Sequence, residues 1–450
     1  MRRKLLISLL VSSMIFGLTA CGDSGRGGGN TTTAEDTQEQ DGGSAQESAN
    51  SVENDTAAEK SQGADSGEAL EVWVRNTYFD EVTTAAKDFT EQTGIPVTVS
   101  EPSNMSDDLA LALSSGETPD IVSIDCVLVP YYASIGALKD ITTEFSALDY
   151  KDTFSGGLLD LSTYDGKQYA VPFAPDVSVL LYNKDIFKAN GLDPEAPPKT
   201  WDELIAAAQA CTSDDVYGYM FAASDAGGMM FTFCPYIWCN GGEFTSEDGT
   251  ESMLNQPEAV EALQLITDMV YKYQVTPESI TSYDWTAVED AFKAQKSAMI
   301  VQGSSAVGNI VNEGYDFNAG CTLIPSPDGS KYASFSGGDS IAILADTDKY
   351  DAAWQFVQYC LSKEVQVDQL AAYGNIPSRS DMFENEIFGS HAEYDVLRQA
   401  LEVGEAPYSL KYNEMYTPWI DAVQYALNQE KTPEEAFDDA KEEIDALLSE

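Results

Sequence analysis

The chain has 450 residues, with 75 Asp and Glu against 24 Lys and Arg, a single His and a formal charge of −51. That surplus argues against nucleic acid and anionic lipid as partners, because both bind basic patches. With His391 as the one histidine, a His-rich zinc site or a Ser-His-Asp triad is hard to build, and neither a metal nor a cofactor is expected.

Residues 1–20 read as an export signal. Arg2, Arg3 and Lys4 open it, and the mostly apolar run 5–16 is shorter than the ~20 residues of a membrane span. Leu18-Thr19-Ala20-Cys21 resembles the bacterial lipobox, in which the cysteine is lipidated and becomes the new N-terminus. The alternative is an ordinary cleavage site with an accidental cysteine. Residues 21–68 are acidic and Gly/Ser-rich, and hold too few large apolar side chains to offset chain entropy. They read as a disordered tether with a reach of about 35–40 Å. The expected arrangement is a soluble body outside the cell membrane, held through Cys21; two acyl chains hold stably, one only marginally.

The remaining residues, 69–450, exceed one core, so two domains are expected. LEVWV (70–74) alternates like a strand, and Phe79, Val82, Ala86 and Phe89 recur at helical spacing up to Gly94. A strand over 95–99, a helix over 105–115, a strand over 119–125 and a helix over 129–135 follow. This βαβα order predicts a mostly parallel sheet covered by helices. Thr200 and Glu203 have capping-box spacing, as do Thr432 and Glu435, and Pro257 suits the first turn of a helix. Another amphipathic helix is expected over 351–361. In SFSGGDSIAI (334–343) the strand is expected after the glycines, and no phosphate-loop pattern follows them. Cys126, Cys211, Cys234, Cys239, Cys321 and Cys360 are scattered. The Cys234–Cys239 spacing does not suit zinc, and the pair reads as small buried hydrophobes or as a disulfide that export permits.

Five blocks in register resemble the extracellular solute-binding protein family 1 of ABC importers, the group that includes the maltose-binding protein. They are the strand, helix and PVTV strand after the tether, SSGETPDIVSIDCVLVPYYASIGALKDI (114–141), DGKQYAVPFAPDVSVLLYNKDIFKANGLDPEAPPKTWDEL (165–204), AFKAQKSAMIVQGSS (291–305) and FSGGDSIAILADTDKYDAAWQFVQYCLSKEVQVDQLAAYGNIPSRSD (335–381). The resemblance implies an α/β, two-lobed periplasmic-binding-protein type II fold with a ligand cleft between the lobes. The hinge would be crossed near 174–178, 312–322 and 371–378. Residues 69–175 and 319–372 would form lobe 1, and 176–318 and 373–450 lobe 2. The implied function is capture of a sugar or oligosaccharide by a monomer that delivers it to an ABC permease, without catalysis. A polyamine on the same fold, or a lipid-anchored glycan-degrading enzyme with two opposed carboxylates, are the rival readings.

The resemblance also implies candidate ligand residues. Asp125 ends the third strand and is a ligand contact or a helix N-cap. Asp176 is a ligand contact or a hinge hydrogen bond. Phe173 stacks or packs, and Trp238 is a sugar platform or core. Trp285, Tyr373 and Arg75, with Asn76, are placed near the cleft. Gly337 and Gly338 would let the backbone approach the ligand, and Asp339 would accept from a hydroxyl or cap a turn. Ser305 stands where many relatives carry a stacking aromatic.

Overall fold

Leu70, Val72 and Val74 point the same way along β1 (Leu70–Val74) and are fully buried, so this strand is the axis of a sheet. The computed structural model describes residues 68–312 and 314–449, and the side chains of Ala372 and Tyr373 lie outside it. The export signal, Cys21 and nearly all of the tether fall outside the described residues. The further strands are β2 (Val97–Ser100), β3 (Ile121–Asp125), the ribbon β4 (Thr163–Tyr164) and β5 (Lys167–Gln168), β6 (Ala170–Val177), β7 (Val179–Asn183), β8 (Met299–Gln302), β9 (Ala319–Thr322), β10 (Ser334–Ile343) and β11 (Gly404–Glu405).

Two sheets carry the body. In the larger, β1 lies between β2 and β3 and runs parallel to both. β10 joins the β3 side antiparallel, and β6 and β11 pair with β10. The expected parallel sheet is therefore mixed. β10 arrives after a long excursion of the chain and enters from the opposite end, which no local pattern records. Apolar residues cover both faces. The Phe79–Thr93 and Tyr350–Cys360 helices supply Val82, Phe89 and Phe356 to one face, and the Met105–Ser115 and Val129–Ser134 helices supply Leu109 and Tyr132 to the other. The smaller sheet, in the order β8-β7-β9, sits in a second core, where Phe233, Trp419 and Phe437 stack in succession at 5.8 and 5.9 Å. Both capping boxes form, at Thr200 and at Thr432, and each starts its helix where the spacing requires.

The chain passes three times between the sheets. The first passage is Ser178 alone, between β6 and β7. The Phe335 N–H donates to Ser178 Oγ at 2.8 Å, and Ser334 Oγ donates to the Ser178 carbonyl at 2.9 Å, so the first two passages are tied where they adjoin. The second spans 323–333. β9, expected at the start of the second lobe-1 part, pairs instead with β7, so residues 319–322 stay with the smaller sheet. The third runs through 374–379 and is held by the buried Gln366 amide. Its Oε1 accepts from the N–H and hydroxyl of Ser378 at 2.8 and 3.0 Å, and its Nε2 donates to the carbonyls of Phe173 and Cys360 at 2.9 and 3.0 Å.

Gly308, in the Ser304–Val311 helix, meets the third passage backbone to backbone. A Cβ on Gly308 would stand 2.6 Å from the Gly374 Cα. Helical Gly→Ala ordinarily stabilises by about 1 kcal/mol. Here Gly308→Ala should destabilise instead, by about 1–3 kcal/mol of overpacking. A thermal melt in which this variant gained stability would show that the passage yields to a methyl group. The six body cysteines are buried free thiols, so Cys234 and Cys239, both in the Ala226–Cys239 helix, are not bridged.

Candidate functional site

The C-terminal ends of β1 and β3 place Arg75 and Asp125 side by side, at the strand-end position where α/β sheets bind ligands. Asp339 of β10 is paired in register with Asp125. The Arg75 guanidinium grips Asp339 Oδ1 through Nε, at 2.8 Å, and through Nη2, and reaches Asp125 Oδ2 through Nη1 at 3.1 Å. Ser123 Oγ donates to the other Asp339 oxygen at 2.7 Å. Asp339 is thus fully enclosed and fully used. Its expected role as a hydroxyl acceptor is corrected: it holds Arg75, and Arg75 and Asp125 present the accessible edge.

Of the two readings of Asp125, the structure shows the N-cap. The residue caps the short 3-10 turn Cys126–Leu128, accepting from the Val127 N–H at 3.4 Å, and it remains part-exposed beside Arg75. Burial raises its pKa, Arg75 opposes the rise and Asp339 adds to it. Burial works against the Arg75 charge as well, but Asp339 and Asp125 outweigh it and hold its pKa above the ordinary value.

Asp176 stands at the end of β6, where its Oδ1 accepts from the N–H and the hydroxyl of Ser304, both at 2.7 Å. It caps the Ser304–Val311 helix across the first passage. Gly303 makes room for it, since a Cβ there would lie 2.6 Å from the carboxylate. Burial raises the Asp176 pKa and the Ser304 hydrogen bonds oppose the rise. A folded-state pKa above the unfolded one means that the native state binds more protons in the interval between them. The penalty for burying this charge is then relieved as pH falls through the raised pKa toward 3.8. Asp176→Asn should flatten the gain in stability on acidification from pH 7 to 4, read by urea unfolding across that range. A slope identical to wild type would place the titration elsewhere.

Aromatic side chains from the smaller-sheet side face this cluster. Tyr416, half-buried, lies close enough to Asp125, Asp225 and Arg75 to feel their charges, and Tyr412 packs against it at 5.4 Å. Phe231 lies over β10, its ring 3.7 Å from where a Gly337 Cβ would be. Trp285 and Phe335 flank Phe231 at 5.4 and 5.2 Å. Trp285, an expected residue, is therefore part of the aromatic wall. Ser305 is exposed and adds no ring to it.

Several expectations change here. Phe173 has no exposed surface and packs edge-on to Tyr78 at 6.3 Å, so it is core. Trp238 is 2% exposed and packs at a tilt against Phe335; it also borders a different cavity of about 1090 Å³, between the β4–β5 ribbon, 243–253 and 404–408, which contains neither Arg75 nor Asp125. Gly337 and Gly338 lie inside β10 rather than ahead of a strand. Gly338 has φ +95°, and a Cβ there would lie 2.2 Å from the Ala174 carbonyl oxygen, so this glycine clears space for β6 and not for a ligand. The register between the strands shifts beside it, at Asp339/Ser340. Tyr373 closes a 3-10 turn before Gly374, and its side chain lies outside the described residues. Ser123, Asp225, Phe231, Tyr412 and Tyr416 were not expected. Ser123, Asp225 and Phe231 sit within apolar or small-residue runs whose local pattern reads as core, as in AGGMMFTF around Phe231, whereas Tyr412 and Tyr416 sit in the mixed stretch LKYNEMYTPW, where no local signal marks them.

The profile of the bacterial extracellular solute-binding proteins matches residues 84–395. The chain belongs to the bacterial extracellular solute-binding proteins. This solute-binding protein is 26% identical over 404 residues to the diacetylchitobiose binding protein DasA of Streptomyces coelicolor, an alignment covering 86% of the chain and 84% of that protein. It is 28% identical over 370 residues to the sn-glycerol-3-phosphate-binding periplasmic protein UgpB of Yersinia pestis, covering 75% and 81%. The crystal structure of an ABC transporter solute-binding protein from Thermotoga lettingae, bound with α-D-tagatose, matches with a TM-score of 0.76 at 26% identity, over 85% of this chain and 100% of that one. The larger and smaller sheets of this solute-binding protein are the cores of the two lobes of the fold. No helix among the described residues is long and apolar enough to cross a membrane.

Proposed function

We propose that this protein is the lipid-anchored, extracytoplasmic solute-binding component of an ABC importer, and that it captures a sugar or oligosaccharide between its lobes. The observation that carries the reading is the part-exposed Arg75–Asp125 pair at strand ends of one lobe, with Tyr416 of the other lobe close enough to feel both charges and the Phe231–Trp285 pair lying beside Gly337 of β10. Sugars need both surfaces: charged groups that hydrogen-bond hydroxyls, and flat rings that cover C–H faces. DasA, which binds diacetylchitobiose, supports the ligand class.

The mechanism is closure about the three passages. A ligand that touches both walls is fully bound only when the lobes are together, so binding favours the closed form. Moving a 1:99 population to 99:1 takes about 5.5 kcal/mol of differential affinity. Ser178 and Ser334 tie the two adjoining passages and let them act as one pivot. The loaded monomer would then dock on permease subunits at the membrane, where lipidated Cys21 keeps it. The protein binds and does not cleave, so incubated glycans should be recovered intact.

Calorimetry with neutral oligosaccharides tests the ligand class, and small-angle scattering should record compaction when one binds. Binding without compaction would remove closure from the mechanism. Tyr416→Ala should weaken oligosaccharide affinity by about 1.5 kcal/mol, or roughly tenfold. An unchanged calorimetric affinity would take Tyr416 out of the cleft wall.

A further inference from the structure

We infer that the seam behind β10, where Gly157 of one lobe meets Gly404 of the other, is the stop that limits opening of the ligand cleft, so that cleft and seam move in opposite senses. The inference rests on the closure reading above and deepens it, by naming the contact that sets how far the free protein opens.

The two faces of β10 carry different things, because successive side chains of a strand point to opposite sides. Gly337 and Asp339 lie on the side of Phe231 and Arg75, where the candidate site is. Ser336 and Ser340 lie on the other. Ser340 Oγ stands 3.4 Å from Ser162 Oγ, which directly follows the Gly156–Leu161 helix, and a Cβ on Gly404 would lie 2.5 Å from the Ser336 Cβ. The cavity of about 1090 Å³ opens on this second side, walled by 157–166 and by Trp238, 243–253 and 404–408. Gly157 leads through the β4–β5 ribbon into β6 of the larger sheet. Gly404 follows the Ala392–Glu402 helix, whose Leu397 and Leu401 lie in the core of the smaller sheet. Leu158 and Leu161 are buried in that same core, so the Gly156–Leu161 helix bears directly on the opposite lobe.

The lobes touch at the edge of this cavity, backbone against side-chain-free backbone. A Cβ on Gly157 would lie 2.8 Å from the Gly404 carbonyl oxygen, closer than real Cβ contacts come. A rotation that brings Tyr416 and Phe231 toward Arg75 on one side of β10 draws these two backbones apart on the other. A rotation that opens the cleft presses them together and ends when they meet. Gly156, one residue earlier, has nothing within 4 Å of its own Cβ position, so the missing side chain matters at 157 and not at 156.

Gly157→Ala puts a methyl group into the seam. It penalises the open form, in which the backbones press together, more than the closed form. Apparent affinity scales with the fraction of protein already competent to bind. Calorimetry on the full-length chain, with maltotriose and diacetylchitobiose as probes, should therefore show whichever binds the wild type binding Gly157→Ala about three- to tenfold tighter. Gly156→Ala is the control and should stay within about twofold of wild type. Gly157→Ser carries the same Cβ and replaces the first variant if that one melts too low to titrate. Without ligand, small-angle scattering should give Gly157→Ala a smaller radius of gyration than wild type or Gly156→Ala. An affinity of Gly157→Ala no tighter than that of Gly156→Ala would overturn the inference and leave closure standing, since closure is read separately from compaction of the wild type with ligand. Binding of neither saccharide would count against the sugar reading. Ligand-free scattering would then decide the stop by itself, and equal radii for the three proteins would overturn it.

Discussion

Arg75→Ala should lower stability by about 3–5 kcal/mol, because it strands the Asp339 carboxylate in a site with no exposed side-chain surface. Urea unfolding at pH 7 would show this as a lower midpoint at unchanged slope. Asp339→Asn should cost less. The guanidinium it releases is 30% exposed and still holds Asp125 at 3.1 Å. The double variant should lie close to Asp339→Asn alone, because the damage done by removing Arg75 is the orphaned charge, and the two effects are not additive. A loss below about 1 kcal/mol for Arg75→Ala would show that water reaches Asp339 once the arginine is gone. The same variant should lose oligosaccharide binding, since Asp125 then lacks the partner that orients it.

Gly338→Ala should destabilise by about 2–4 kcal/mol. Two costs add: a non-glycine residue held at φ +95°, about 1–3 kcal/mol, and a methyl group driven into the β6 backbone. The Ala174 oxygen and the Asp176 nitrogen would be 2.2 and 2.6 Å away, and neither is a flexible side-chain end. Asp176 caps the Ser304–Val311 helix across the first passage, so displacing it should also loosen the lobe-to-lobe pivot. Thermal melting reads the stability loss, and protection of the Ser304 amide from hydrogen exchange reads the cap. A melt unchanged from wild type would mean that β6 can draw back at no cost. Gly337→Ala provides the contrast, because its Cβ would meet only the rings of Phe335 and Phe231, at 3.2 and 3.7 Å.

Local signals in the sequence carried the elements well. Alternation in LEVWV marked β1 with its bounds, the run Met105–Ser115 came out as a helix, and Thr200 and Thr432 capped where their Glu partners demanded. Family blocks pointed to the two-lobed α/β fold and to the region of the cleft. The same signals failed for β10. Its glycines read as a break before a strand, but inside the sheet they let one strand bulge against another. Side-chain identity also could not separate a platform from core. Trp238 and Phe231 lie two helical turns apart on one helix and both pack against Phe335 of β10, but only Phe231 keeps part of its surface exposed.

What the sequence determined by itself were properties that depend on neighbours along the chain: strand alternation, helix caps, acidity and membership in a recognisable order of blocks. Tertiary structure decided which carboxylates are consumed and which are free. Asp125, Asp176, Asp225 and Asp339 are one residue type with four different fates. One is shared between arginine and a turn, one caps a distant helix, one is left open and one is sealed behind arginine and serine. Their partners, Arg75, Ser304 and Ser123, lie 50 to 264 residues away along the chain from the aspartates they bind. A carboxylate's chemistry is set by the dielectric and the donors within a few ångströms of it, and those are assembled only when the sheets pair and the lobes pack.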